Sequence, residues 1–149
     1  MIQILRTDSQ NPDFKDLVSL LDNDLAKRDG EDHSFYAQFN GITHLKHTLV
    51  LYEDDMPIAC GAIKKFNETS VEVKRMFVLP ENRGQGFASK ILTELEEWAK
   101  ELGYKTCVLE TGLRQPEAIA LYKKNGYQVI ANYPPYVGIA NSVCFKKDL

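Results

Sequence analysis

The chain has 149 residues, of which 44% are hydrophobic and 26% charged, with a net charge of −3 at pH 7. These values fit one soluble globular domain over residues 1–149. The basic pairs Lys64-Lys65, Lys123-Lys124 and Lys146-Lys147 are scattered, which argues against a nucleic-acid partner, and no apolar run reaches membrane-spanning length.

Residues 2–6 predict a short strand that starts directly after Met1, without a signal-peptide profile. Asn11-Pro12 opens a helix, because asparagine caps free amides and proline suits the first turn. Phe14, Leu17, Val18, Leu21 and Leu25 then keep helical spacing up to Arg28 and the Asp29-Gly30 break. Residues 34–39 predict a second short helix, ended by Asn40-Gly41. Residues 48–53 and 58–66 flank Asp54-Asp55-Met56-Pro57 as a hairpin, and residues 70–79 add a third antiparallel strand. A long helix follows over residues 84–102, with Ala88, Ile91, Leu92, Leu95, Ala99 and Leu102 on one apolar face and Gly103 as its stop.

Residues 106–110 have an apolar core, as expected of a parallel strand buried on both faces. Pro116 opens a helix through Lys124, ended by Asn125-Gly126. Residues 127–132 and 142–146 are final strands around Tyr133-Pro134-Pro135-Tyr136. The order βααβββαβαββ describes an α/β fold, a mixed and mostly antiparallel sheet flanked by helices. Cys60, Cys107 and Cys144 sit in apolar strand runs without paired spacing, so they read as reduced, buried thiols of a cytoplasmic protein.

The most informative stretch is Met76-Phe77-Val78-Leu79-Pro80-Glu81-Asn82-Arg83-Gly84-Gln85-Gly86-Phe87-Ala88. It joins a strand to a helix through an arginine and two glycines. Helix N-termini present unpaired N–H groups and partial positive charge, which attract phosphate. Gly84 and Gly86 let a bulky anion reach the backbone, and Arg83 adds a permanent cation. The stretch therefore predicts a diphosphate-binding turn. It lacks the spacing of a P-loop, since Gly84 to Lys90 does not carry the required Gly-Lys-Ser/Thr run. A dinucleotide turn could use Ser89 as the third small residue and Glu110 as the acid, but an antiparallel meander precedes this turn where that fold would begin with it.

The turn resembles the acetyl-CoA loop of the GCN5-related N-acetyltransferase superfamily, with the pattern Gln/Arg-x-x-Gly-x-Gly/Ala. Asn82 to Ala88 match it, and Val78 and Pro80 precede it in the expected places. A second stretch, Gln115-Pro116-Glu117-Ala118-Ile119-Ala120-Leu121-Tyr122-Lys123-Lys124-Asn125-Gly126-Tyr127, is similar to the late helix of the same superfamily. There Gln115 replaces an asparagine and Tyr127 a phenylalanine.

The resemblance implies acetyl-CoA as cosubstrate and an amine as acceptor. Backbone groups of Phe77 and Val78 would pair with the pantetheine arm, and the turn formed by Arg83, Gly84, Gln85, Gly86, Phe87, Ala88 and Ser89 would hold the pyrophosphate. Tyr122 would protonate the departing thiolate, which suits a phenol whose ordinary pKa lies within about two units of a thiol's. Glu72 falls where histone-modifying relatives place a catalytic glutamate and would serve as base, unless a water chain does. Strict alternation puts Glu72, Lys74 and Met76 on one strand face and Val71, Val73, Arg75 and Phe77 on the other; a bulge, frequent among relatives, would change how Arg75 faces relative to Glu72.

Tyr36 and Asn40 lie where relatives carry one acceptor lid, and Tyr133 and Tyr136 where they carry the other. Arg75 is a candidate for binding an acceptor carboxylate in a bidentate way. His44 and His47 lack a cysteine or carboxylate at ligand spacing, so no metal is expected. The resulting expectation is an N-acetyltransferase acting on a small-molecule amine. Dimers are frequent among relatives, so a homodimer fits the same expectation. Its rivals are a non-catalytic acyl-CoA sensor, a protein N-acetyltransferase and a nucleotide-binding regulatory domain.

Overall fold

A computed structural model describes residues 1–30 and 45–149. Among these, the order is β1 (Ile2–Thr7), α1 (Pro12–Asp29), β2 (His47–Glu53), β3 (Met56–Lys65), β4 (Ser70–Val78), a short 3-10 turn (Pro80–Asn82), α2 (Phe87–Glu101), β5 (Thr106–Gly112), α3 (Pro116–Lys124), β6 (Gln128–Ile130) and β7 (Ser142–Asp148). The predicted helix at residues 34–39, with Tyr36 and Asn40, lies outside the described residues.

Local chemistry accounts for the element ends. The Asn11 side chain accepts the Phe14 amide at 3.0 Å, which caps α1 as its sequence requires. The hairpin between β2 and β3 turns on Asp54 and Asp55 alone, both with positive φ (49° and 69°), so Met56 and Pro57 join the strand instead of the turn. Helix α2 starts at Phe87, three residues later than expected, because Gly84 and Gly86 sit at φ 80° and 83° and cannot continue a right-handed helix. It ends in paired bonds from the Gly103 and Tyr104 amides to the Lys100 and Ala99 carbonyls.

One seven-stranded sheet has the order β1-β2-β3-β4-β5-β7-β6, antiparallel except between β4 and β5. Alternating side chains feed two cores. Phe14, Leu17, Val18 and Leu21 of α1 cover Val50, Cys60, Ala62 and Phe77 on one face. Ile91, Leu92, Leu95 and Ala99 of α2, joined by Tyr122 of α3, cover Leu49, Leu51, Ile63, Val71, Val73 and Leu109 on the other.

Two irregularities in β4 shape everything that follows. Opposite β3, Cys60 pairs with Phe77 but Ala62 with Lys74, so β4 carries an extra residue, and Arg75 there has a φ of 60°. The bulge overturns strict alternation: Arg75 shares the α1 face with Phe77, while Met76 and Val78 turn to the α2 face beside Val71 and Val73. In addition, β4 pairs with β5 only over Ser70–Glu72 against Thr106–Val108, although both strands continue further. A bulge bends its strand and increases the local twist, which suits two parallel strands that part.

Gly61 lies opposite the bulge, where a Cβ would stand 2.7 Å from Met76 Sδ and 2.7 Å from Ile91 Cγ2. The expected effect of Gly61→Ala is a loss of about 1–3 kcal/mol through overpacking, read by denaturant unfolding. Cys60, Cys107 and Cys144 are free and buried; burial pushes the Cys60 thiol up to about 12 and the Cys107 thiol to about 11. None of the three is expected to react with a disulfide reagent near neutral pH until the protein is unfolded.

Candidate active site

Where β4 and β5 part, the edge of β4 beyond Glu72 is left without a strand partner from β5. A cleft of about 480 Å³ opens there, walled by β4, the glycine turn, β5, α3 and one side of α1. It has three parts.

The first is the end at the glycine turn. Gly84, Gly86, Ala88 and Ser89 line the cleft, with buried Phe87 fixing the start of α2 in the core. Gly86 occupies the N-cap position in left-handed geometry and has no side-chain cap, so its own amide and those of the first α2 turn lack intrahelical partners. Among the described residues, no atom beyond the chain neighbours lies within 4 Å of a Cβ built on Gly84 or Gly86, so both glycines border open space there. Asn125 joins the two helices at this end, its Nδ2 donating to Ser89 Oγ at 3.2 Å and to Leu121 O at 2.8 Å. Gln85 is exposed and does not line the cleft.

Arg83 has a specific posture. Its Nε donates to the Val78 carbonyl at 2.9 Å, and its guanidinium lies 5.5 Å from the centre of the Phe77 ring. The arginine therefore covers one of the β4 backbone groups expected to bind pantetheine.

The second part is the middle, where Tyr122 lines the cleft while only 6% exposed. Its ring packs 5.7 Å from Tyr127 and 5.9 Å from Phe145. Burial, with a smaller contribution from the Glu110 charge, raises the phenol pKa well above its ordinary value. Tyr122 is therefore a protonated hydrogen-bond donor throughout the neutral range.

The third part is the end bounded by α1. Glu72 Oε2 accepts a hydrogen bond from Tyr133 Oη at 2.7 Å, and Lys74 Nζ lies 3.6 Å from Glu72 Oε1. Glu72, Lys74 and Tyr136 line the cleft, whereas Tyr133 approaches Glu72 without doing so. Arg75 is at the wall, but its side chain is only 2% exposed and its Nη2 is 2.5 Å from Asp22 Oδ1. Direct contact between Arg75 and an acceptor carboxylate would require that pair to open.

Sequence reasoning missed the residues that α1 contributes. Leu21, Asp24, Leu25 and Arg28 border the cleft, and Arg28 bridges Asp24 at 3.1 Å to Glu117 of α3. Arg28 and Glu117 are far apart in the chain, and nothing local marks either. Only the helical spacing of Leu21, Leu25 and Arg28, all on one side of α1, hinted that this side faces something. No group of three or more potential metal ligands occurs among the described residues, and no described helix is long and apolar enough to cross a membrane.

Comparison with known proteins converges on one family. The family model for acetyltransferases of the GNAT family matches residues 12–127. An IAA acetyltransferase of Azospirillum brasilense is 38% identical over 102 residues, which cover 68% of this chain and 67% of that protein. A Klebsiella pneumoniae structure assigned as an acyl-CoA N-acyltransferase is 30% identical with a TM-score of 0.84, covering 100% of this chain and 98% of that one. The PaiA N-acetyltransferase of Thermoplasma acidophilum, solved with coenzyme A, shares the fold at 17% identity and a TM-score of 0.75, over 100% and 99% of the two chains. The chain belongs to the acetyltransferase (GNAT) family and is an acetyl-CoA-dependent acetyltransferase.

Proposed function

We propose that the protein transfers the acetyl group of acetyl-CoA to a primary amine of a small molecule, by direct attack within a ternary complex. One observation carries this reading: a single cleft brings together the unpaired β4 edge, the glycine turn at the start of α2, Tyr122 and Glu72.

The pyrophosphate fits against the Gly84–Gly86 turn and the first amides of α2, with the pantetheine arm along Phe77 and Val78 in place of the missing strand. Binding there makes the pantetheine compete with Arg83 for the Val78 carbonyl, which frees a cation close to the anion-binding end. At the other end the acceptor arrives as an ammonium, which cannot attack a thioester until it loses a proton. Glu72 takes that proton, directly or through water. The Lys74 ammonium beside Glu72 disfavours a second cation at this spot and so favours the neutral, nucleophilic amine.

The amine nitrogen then forms a bond to the thioester carbon, and collapse of the tetrahedral adduct breaks the C–S bond. The departing thiolate takes the Tyr122 phenol proton, while the adduct nitrogen, which carries one proton more than the amide, releases it to solvent, and solvent returns a proton to Tyr122. Because Tyr122 is held protonated, no loss of kcat from its ionisation is expected below about pH 10, the ordinary phenol value. A pH–rate profile with an earlier alkaline limb that disappears in Tyr122→Phe would contradict this.

A small acceptor is supported by the walls of the α1 end, where Leu21, Leu25 and Tyr136 supply apolar surface and each charged side chain already faces an opposite one. The test is thiol release from acetyl-CoA with polyamines, amino acids, aminoglycosides and short peptides as acceptors. The reading expects kcat/KM at least tenfold higher for one of the small amines than for any peptide lysine or N-terminus. A preference for peptides would replace it with protein acetylation. The three buried thiols fit a reducing, cytoplasmic setting for this chemistry.

A further inference from the structure

Tyr133 stands in the loop between β6 and β7, a region that the resemblance assigned to contact with the acceptor. Its surroundings point elsewhere. The hydroxyl donates to Glu72 Oε2 at 2.7 Å, yet Tyr133 does not line the cleft that Glu72 and Lys74 border.

The loop that carries Tyr133 is firmly held. Asn132 Nδ2 lies within reach of three carbonyl oxygens, those of Tyr136 at 3.1 Å, Ile139 at 3.3 Å and Ser142 at 3.1 Å. The Tyr133 ring packs edge-on against Phe66 at 4.8 Å and Tyr136 at 5.9 Å, and the Tyr136 amide donates to the Tyr133 carbonyl at 2.8 Å. Loops usually move more than the strands they join, and an acceptor clamp gains from such freedom. This one is fastened at its base and at its ring, as a fixed support would be.

Resting on the reading of Glu72 as the base, we infer that Tyr133 is its positioning residue: it pins Glu72 Oε2 and leaves Oε1 to face the acceptor amine. A glutamate side chain has three rotatable bonds, and a base displaced by about an ångström can lose about 100-fold in rate. A carboxylate has about four lone-pair sites. Oε2 is turned to Tyr133, and Oε1 has Lys74 at 3.6 Å, outside ordinary hydrogen-bond distance. Tyr133 thus acts through Glu72 without touching substrate.

The experiment compares wild type, Glu72→Gln, Tyr133→Phe and the double variant, on the amine that the acceptor panel identifies. Tyr133→Phe keeps the ring contacts and removes only the hydroxyl. The expected result is a fall in kcat of about tenfold in Tyr133→Phe, with the acetyl-CoA KM unchanged within twofold. Glu72→Gln falls further, and adding Tyr133→Phe to it costs nothing more. If the two effects multiply, or if the acceptor KM rises in Tyr133→Phe with kcat intact, Tyr133 touches the acceptor itself and the inference is overturned. Full kcat in Tyr133→Phe beside a crippled Glu72→Gln would remove the positioning role and leave the base in place. Full kcat in Glu72→Gln would remove the base, and the inference with it.

Discussion

Tyr122→Phe is expected to lower kcat by tenfold to a hundredfold while the acetyl-CoA KM stays within a factor of two. The acetyl-transfer step expels a thiolate, and proton delivery by a positioned acid typically contributes about 10²–10⁴ in rate. The lower end is chosen because burial raises the Tyr122 phenol pKa, which makes it a weaker acid than a free tyrosine. Its proton then passes to a thiolate that shares the same poorly hydrated cleft, where the charged form of either partner is disfavoured. A tenfold loss corresponds to about 1.4 kcal/mol of transition-state stabilisation. The ring of Tyr122 keeps its packing against Tyr127 and Phe145 when only the hydroxyl is removed, so thermal stability should change little. Steady-state kinetics beside a melting curve separates the two. An unchanged kcat would move the proton source to water or to another side chain.

The second large effect is expected at the glycine turn. Gly86→Val should raise the KM for acetyl-CoA at least tenfold and leave kcat at saturation nearly unchanged. Gly86 has φ 83°, a conformation that costs an ordinary residue about 1–2 kcal/mol. That strain falls on the N-cap of α2, whose amides are the proposed anion site. Among the described residues the new Cβ meets nothing within 4 Å beyond its chain neighbours, so the valine branches would fill space that a phosphate needs. Calorimetry with CoA reads the loss of affinity, and denaturant unfolding reads the strain. Gln85→Ala is the control: its side chain is exposed and outside the cleft, so binding should change less than twofold. If Gln85→Ala weakens CoA as much as Gly86→Val does, recognition runs through side chains and the backbone account fails.

Much of the fold was legible because its signals are local. The Asn11 cap, the Asp54-Asp55 turn between β2 and β3, the apolar face of α2 and the glycine after it each depend on neighbours within a few residues. The start of α2 was misread for a local reason too. The apolar face begins only at Ala88, and the positive φ values of Gly84 and Gly86 delay the helix to Phe87. The bulge at Arg75 was expected only from the resemblance, since its cause lies across the sheet, where Gly61 makes room for Met76 and α2.

The site divides along the same line. The proposed anion-binding turn could be read from seven consecutive residues, Asn82 to Ala88, because backbone geometry and helix polarity suffice to suggest it. The α1 end could not. The Arg28 pair with Glu117, the Arg75 pair with Asp22 and the Tyr133 bond to Glu72 each join side chains that meet only after the chain has folded. On the proposed reading acceptor specificity resides in such contacts, which would explain why the donor was readable and the acceptor was not.

The most direct test of the account is a stoichiometric one. Acetyl-CoA and the best amine of the panel are incubated with the enzyme, and released thiol is compared with N-acetylated product identified by mass spectrometry. The account predicts equal amounts of the two, with both rates lowered together in Tyr122→Phe. Thiol release without acetylated amine, or an equal rate in Tyr122→Phe, would contradict it.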